Sequence, residues 1–285
     1  MQSLREKNIA ILCNALAGSG SAVLCAENIC TRLSDKNIRH TQFKDTWPDD
    51  FSLYTDIFIV GGDGTLNYFI NRYPGMSLPL VIFKGGTGND VYWLLYGNST
   101  LDEQLETALN SSPKPLDIGK CNDRYFINGV GIGFEGEVAK ALTGKKKLPG
   151  KTSFLITILK KIVTYRSKRY TIQSAERSLS GRRLLVDISN GRRAGGGFHI
   201  APEARADDGL LDVIIADALT PLQRVRYLPV IEKGKHLHLS FIHHFRTRKI
   251  SIEGDDLLQY HLDGEYFVAK RLNIEIIPAA VTFRF

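Results

Sequence analysis

Asp56-Ile-Phe-Ile-Val-Gly-Gly-Asp-Gly-Thr65 is a short apolar run that stops at a glycine turn. A run of this length closed by glycine reads as a buried strand. Thr65–Arg72 then reads as a helix ending near Pro74. Working outward, the same order recurs on both sides. Asn8–Cys13 is an apolar run ending at the turn Asn14-Ala-Leu-Ala-Gly-Ser-Gly20, and Ser21–Leu33 follows with helical apolar spacing. Leu78–Phe83 leads into a second glycine turn, Lys84-Gly-Gly-Thr-Gly-Asn-Asp90. Strand, glycine turn and helix in repeated order predict a three-layer α/β domain with its ligand at the C-terminal strand ends.

Beyond Pro113–Pro115 the pattern changes to strand-like segments separated by glycines: 124–129, 170–174, 184–189, 209–215, 249–253, 259–262 and 272–277. One helix candidate, Ser153–Arg166, interrupts them. This predicts a second, largely antiparallel β domain. The expected division is 1–120 for a nucleotide-binding α/β domain and 121–275 for a β-rich domain taking the substrate. The last stretch, about 276–285, is expected to pack back on the first domain.

The 285 residues, 43% hydrophobic and 24% charged, have a globular composition. No run approaches the ~18–20 apolar residues that span a bilayer, and the N-terminus lacks a signal-peptide pattern. Cys13, Cys25, Cys30 and Cys121 form no CxxC pair, which points to a reducing cytosol rather than a disulfide or zinc framework. A cytoplasmic protein is expected, with any membrane contact peripheral. The net charge is +7, yet Val138–Ala175 holds ten basic residues and no acidic one, leaving about −3 elsewhere. Such a segment is compatible with nucleic acid, an anionic bilayer or phosphate-bearing substrates.

Glycines at a strand end let backbone approach a phosphate, and the following helix N-terminus offers free N–H groups. Asp63 cannot be a direct phosphate ligand, because like charges repel. It fits a role in which a divalent cation bridges it to phosphates; the plain alternative is a tight turn with Asp63 as a helix cap. A second glycine turn, Gly85–Asp90, favours the nucleotide reading. Two other motifs are set aside. Gly144–Thr152 imitates a P-loop but has the wrong spacing, a proline and no preceding strand. His236, His238, His243 and His244 are not read as a metal cluster; the first two alternate with leucine as strand residues do.

In order along the chain stand NALAGSG (14–20), GGDGTLN (61–67), GTGND (86–90), DIG (117–119), RYFINGVGIGFEGEV (124–138), APEARADDGLLDV (201–213) and LDGE (262–265). This series, covering almost the whole length, resembles the diacylglycerol kinase catalytic-domain family, which includes bacterial lipid kinases and sphingosine and ceramide kinases. The resemblance implies a phosphofructokinase-like N-terminal α/β domain and a C-terminal β-sandwich-like domain, with the active site in the cleft between them. It implies ATP and Mg2+ as cofactors and a lipid hydroxyl, by default that of diacylglycerol, as acceptor. Carried over, Asn14, Gly18, Gly20, Gly61, Gly62, Asp63, Gly64, Thr65 and Asn67 would lie near the phosphates. Gly86, Thr87 and Asn89 would contact the nucleotide from the second turn, and Thr46 matches a threonine at the nucleotide pocket. Glu265 matches the general base, with Asp263 beside it; read as one strand, Asp-x-Glu puts both carboxylates on one face. Asp208, with the carbonyls of Arg205 and Leu210, matches a structural Mg2+ site, for which a simple Asp-Gly turn is the alternative.

Three departures bear on nucleotide preference and substrate: Ala15 for proline, Tyr68 for glutamate and Lys84 for proline. In the basic 140–169 segment, Phe154, Leu155, Ile158, Leu159, Ile162 and Val163 share a helical face, while Lys160 and Lys161 project elsewhere. That face is expected to pack inward, with the lysines turned to solvent or to anionic lipid. The expected partner is a lipid presented at a membrane, with no nucleic acid; the oligomeric state is open, a homodimer included. Competing readings are a kinase of another lipid (sphingoid base, ceramide, phosphatidylglycerol), an NAD kinase, or a silent nucleotide- or lipid-binding protein.

Overall fold

The computed structural model describes residues 7–44, 46–144 and 152–285. The chain divides into two compact units, Met1–Leu116 with Ala279–Phe285, and Asp117–Pro278. The second is thus inserted in the sequence of the first.

In the first unit, β1 (Asn8–Cys13), β2 (Arg39–Phe43), β3 (Asp56–Gly61) and β4 (Leu80–Lys84) form a parallel sheet in the order β2-β1-β3-β4. The end of β13 (Glu265–Arg284) joins it, Phe283 pairing in parallel with Leu80. Strands covered on both faces read as continuous apolar runs rather than alternating ones, and Ile9–Cys13, Ile57–Val60 and Leu80–Phe83 are all buried. Helices α1 (Ser21–Asp35), α2 (Asp63–Arg72) and α3 (Asp90–Tyr96) follow the turns after β1, β3 and β4; α4 (Leu101–Asn110) starts at a Thr100–Glu103 capping box. Buried Asp56 is bound by Lys7 at 3.3 Å, by Thr55 at 2.8 Å and by the Arg284 guanidinium. A buried carboxylate needs such partners.

The second unit is antiparallel. Its strands β7 (Gly129–Gly133), β9 (Ser178–Ser189), β10 (Leu211–Asp217), β11 (Ile242–Thr247) and β12 (Lys249–Leu262) run β11-β10-β9-β7-β12-β13. β8 (Lys168–Ser174) pairs with β9 and β12, and β5 (Pro113–Cys121) pairs with β6 (Arg124–Phe126) and β13. β12 is one bulged strand rather than two. One face carries a core of Val130, Ile132, Val186, Ile188, Ile252 and Leu262 among others. A second core includes Phe134, Ile158 and Ile162 from α5 (Phe134–Leu142) and α6 (Thr152–Thr164). Leu228 and Ile231 of α7 (Pro221–Glu232) pack against it.

Three expectations change. The KHLHL stretch is a turn, not a strand: His236 is buried with Nε2 2.9 Å from the Ile200 carbonyl, and strand β11 starts only at Ile242. His243 and His244 face Asp217 and Asp212. Helix α6 buries Ile158 and Ile162, but Leu155, Leu159 and Val163 of the same expected face are 43%, 48% and 69% exposed. Lys161, expected in solvent, is held by Glu137 at 2.7 Å. The side chain of Phe154, and Lys145–Lys147, lie outside the described residues.

Candidate functional site

Parallel strands end at one edge of their sheet, so the turns after β1, β3 and β4 meet there. Asn14 donates its N–H to the Val60 carbonyl at 3.1 Å and its Nδ2–H to Thr65 Oγ1 at 3.0 Å. Its Oδ1 accepts the Leu16 N–H. The Gly85 N–H donates to the Gly61 carbonyl at 2.9 Å. A Cβ on Gly86 would lie 2.5 Å from Gly62 Cα, one on Gly85 2.9 Å from Gly61 Cα, and one on Gly18 2.4 Å from the Gly85 carbonyl. One on Gly61 would strike the Thr65 side chain at 2.4 Å. These glycines therefore let three turns stack backbone on backbone. Gly20 differs: φ is +98° and nothing lies within 4 Å of its Cβ position, so it faces open space.

Asp63 ties the stack together. Its Oδ2 and Oδ1 accept the N–H groups of Asp90 and Val91, both at 3.0 Å, at the start of α3. It is a cap, as the plain reading had it, but of the helix after the other glycine turn rather than of its own. Burial raises its proton affinity above the ordinary carboxylate value, and the N–H groups of Val91, Asp90, Asp63 and Asn89 oppose that rise. A desolvated carboxylate with acceptor capacity left on both oxygens fits a divalent cation.

The remaining residues expected here fall into two groups. Asn89, at φ +54°, closes its own turn by exchanging hydrogen bonds with Gly86, and Gly64 lies in the first turn of α2. Asn67 is buried in α2, its Oδ1 accepting from Asn71. Thr87 and Thr46 are exposed, Thr87 in the second turn and Thr46 in the segment after β2. Lys84 extends its ammonium over the Tyr92 ring at 4.3 Å from the centroid.

In the second unit the LDGE segment is not a continuous strand. Leu262 pairs with Glu265, and Asp263 and Gly264 form a two-residue turn between β12 and β13 with φ of +46° and +88°. Two positive φ angles favour Asp-Gly in such a turn. The shared strand face expected for Asp263 and Glu265 is therefore replaced by a hairpin tip. The Asp263 carboxylate accepts the N–H groups of Ile127, Asn128 and Gly129, each at 2.9 Å, while Glu265 is exposed one residue beyond the turn. Asn190 supports that loop from below, donating to the Ile127 and Asp117 carbonyls at 2.8 and 2.9 Å.

Loop 205–210 is closed by the protein itself. Asp208 Oδ1 accepts the Leu210 N–H at 3.0 Å, and buried Asp117 accepts the Gly209 N–H at 2.7 Å. The second oxygen of Asp208 and the carbonyls of Arg205 and Leu210 still make an oxygen-only donor set, the chemistry that suits Mg2+. Arg246 stands near enough for Asp208 to raise its proton affinity, after the larger effect of Asp212, so the loop already has a neighbouring cation.

The family model for the diacylglycerol kinase catalytic domain matches residues 8–121, and that for the YegS C-terminal NAD kinase β sandwich-like domain matches 128–284. The chain belongs to the diacylglycerol kinase catalytic-domain family. It is 30% identical over 233 residues to a "Probable lipid kinase YegS-like" of Shewanella frigidimarina, covering 80% of this chain and 75% of that protein. The counterpart of the same name in Pseudomonas putida is 31% identical over 231 residues, covering 80% and 76%. A diacylglycerol kinase of Mycobacterium tuberculosis is 25% identical over 291 residues, covering 96% and 93%. Among solved structures, a diacylglycerol kinase from Bacillus anthracis str. Sterne superposes with a TM-score of 0.73 at 21% identity, over 100% of this chain and 98% of that one. That likeness shows the fold.

Sequence reasoning passed over one cluster in this diacylglycerol kinase family member. Glu135, Asp187 and His261 converge around Gly131, which pairs with Asp187 on one side and His261 on the other. His261 Nε2 is 3.5 Å from Glu135 Oε2, and Ser189 donates its hydroxyl to Asp187. Burial raises both carboxyls, the charge of Glu135 adding to the rise at Asp187, and burial lowers His261. The three are scattered in sequence: strand register unites Asp187 and His261 across Gly131, and helix α5 folds Glu135 over the space that glycine leaves.

Proposed function

We propose that this protein is a lipid kinase that transfers the γ-phosphate of ATP to a lipid hydroxyl, diacylglycerol being the first candidate. The observation that carries the reading is the backbone-on-backbone stack of glycine turns locked by Asp63. It gathers the three glycine turns at one sheet edge, where close backbone approach and the start of α2 favour phosphate, the first amides of α3 being taken by Asp63. Gly20 leaves room beside it. Asn14, Gly18, Gly61, Gly62, Gly64, Thr65, Gly86, Thr87 and Asn89 would line the nucleotide, with Thr46 and Asn67 flanking it. Asp63 would hold Mg2+, which when bound offsets the negative charge of the phosphates. Glu265, exposed and unencumbered by the turn, would take the proton from the attacking hydroxyl. Asp263 is spent on three backbone amides and is assigned to holding the turn rather than to proton transfer. A second Mg2+ would take Asp208 with the carbonyls of Arg205 and Leu210.

The acceptor would be met at a membrane. Among the described residues no helix is long and apolar enough to cross one. Leu155, Ile156, Leu159 and Val163 of α6, the helix that also carries exposed Lys160, and Leu222 and Val225 of α7 are exposed. Exposed apolar residues with neighbouring cations suit an anionic bilayer.

Radiolabelled ATP offered with a panel of micellar lipids, and separately with NAD, tests the reading. Label is expected in a phospholipid and not in NADP; label in NADP alone overturns it. Glu265→Gln is expected to abolish lipid phosphorylation while sparing ATP binding.

A further inference from the structure

We infer that His261 is a positioning residue for the proposed reaction: through Nδ1 it holds the Gly264 amide and thereby sets the hairpin tip that presents Glu265. The inference rests on the assignment of Glu265 as base.

A two-residue hairpin leaves the amides at its tip without ladder partners, and an unpaired donor must find another acceptor. On the Asp263 side the need is met: the Asp263 N–H donates to the Gly129 carbonyl at 3.0 Å, and its carboxylate accepts three N–H groups of the neighbouring loop. On the other side the Gly264 N–H reaches His261 Nδ1 at 3.3 Å. No side chain of Gly264 can hold that half of the tip, and a Cβ there would meet nothing within 4 Å. The histidine is thus the tether on the half nearest Glu265.

An imidazole accepts at Nδ1 only as the Nε2–H tautomer. The surroundings select that form. Nε2 points at Glu135 Oε2, 3.5 Å away, and that oxygen has no hydrogen-bond partner within the described residues. Glu135 reaches this place because position 131 lacks a side chain: a Cβ there would fall 2.0 Å from Glu135 Oε2 and 2.3 Å from His261 Nε2. Asp187, on the strand across Gly131, is buried behind Glu135 and held by Ser189. Desolvation raises the proton affinity of both carboxyls, so the pair retains a proton instead of setting two charges side by side. The row Asp187–Gly131–His261 with Glu135 folded over it gives the ring one orientation and one tautomer. A carboxylate pair placed only to fill the core has no need of either.

Three replacements separate positioning from packing. Asparagine sets an amide oxygen where Nδ1 stood, glutamine sets its polar atoms farther out, and phenylalanine keeps the ring shape alone. His261→Asn is expected to keep kcat within about threefold of the parent. His261→Gln and His261→Phe are expected to lose about tenfold or more in kcat with KM for ATP unchanged. Gly264 amide exchange should quicken in those two and stay slow in the asparagine variant. Glutamine and asparagine variants of equal kcat overturn the inference, as does a loss of kcat that follows thermal stability across all three. A variant that does not fold leaves a measurement on the parent protein: the 15N shifts of His261 must show Nε2 protonated and Nδ1 bare, and the opposite tautomer overturns it. If Glu265→Gln turns over normally, the base assignment has failed; if that variant is inactive while His261→Gln is not, only the positioning role has.

Discussion

Replacing Asp263 by alanine removes the acceptor of three backbone amides in one step. The bonds from Ile127, Asn128 and Gly129 are each 2.9 Å, and Ile127 and Gly129 are buried. Leaving a buried donor unpaired costs about 1–3 kcal/mol. Asp263 is itself half-buried, so water recovers part of that loss and about 1 kcal/mol per amide is the fitting figure. Alanine at φ +46° adds about 1 kcal/mol, since only Gly, Asn and Asp enter the left-handed region readily. The sum is about 4 kcal/mol against the unit Asp117–Pro278, within the range of a broken buried network. Asp263→Asn keeps one acceptor oxygen and the backbone conformation but turns an NH2 toward a donor, and about 1–2 kcal/mol is expected. Both tryptophans, Trp47 and Trp93, belong to the other unit. The urea transition must therefore be followed by far-UV circular dichroism or by hydrogen exchange of Ile127–Gly129. An alanine variant within about 0.5 kcal/mol of the parent refutes the reasoning. A well-folded Asp263→Asn variant as inactive as Glu265→Gln returns Asp263 to the chemistry.

Gly86→Ala drives a Cβ to 2.5 Å from Gly62 Cα, where only backbone can yield; ATP affinity should fall by about tenfold or more in equilibrium binding, and parental affinity would contradict the stacked-turn description. Burial pushes Glu135 from 4.5 up to about 7, so across that window the folded state binds a proton that the unfolded state has released and stability declines as pH rises. Glu135→Gln removes Glu135's share of this decline and leaves that of Asp187, which burial also raises, so its melting temperature relative to the parent should be higher at pH 8 than at pH 4; the lowered His261 acts with opposite sign in both proteins. Leu159→Asp with Val163→Asp should weaken sedimentation with anionic vesicles at low salt without unfolding the protein, and unchanged sedimentation would remove α6 from the docking surface.

The α/β unit was legible because its strands are buried on both faces. Ile57–Val60 and Leu80–Phe83 must then be apolar throughout, and the glycines at 61–62 and 85–86 mark where each strand ends. The antiparallel strands were legible by their spacing. Helix α7 was not: Pro229 lies inside it, and of its residues only Arg224 is buried, its guanidinium donating to the Ile162 and Tyr165 carbonyls at the end of α6. Helix α5 was not read either: it follows a glycine-rich stretch, and its Gly136 lies against the Gln259 backbone, a contact no local spacing announces. Asp263 misled for a definite reason. Asp-x-Glu in an alternating segment looks like two residues of one face, and whether Asp-Gly is strand or turn depends on an acceptor need arising at Ile127–Gly129, distant in sequence. The apolar spacing of α6 was read correctly as helical, but spacing cannot say how many of those residues the neighbouring elements cover.

Arg284 and Phe283 give the insertion a consequence for how the protein is made. Asp56 is sealed by a guanidinium encoded at the far end of the chain, and β4 gains its parallel neighbour from the same stretch. During synthesis the first unit must wait, its β4 edge open and its buried carboxylate lacking the Arg284 partner, until the whole inserted unit has left the ribosome. An exposed strand edge is a template for pairing with other chains. The interval before Val281–Arg284 emerge therefore leaves this edge open to pairing, and shortening it, by circular permutation that moves Ala279–Phe285 alone ahead of β1, should raise the soluble yield.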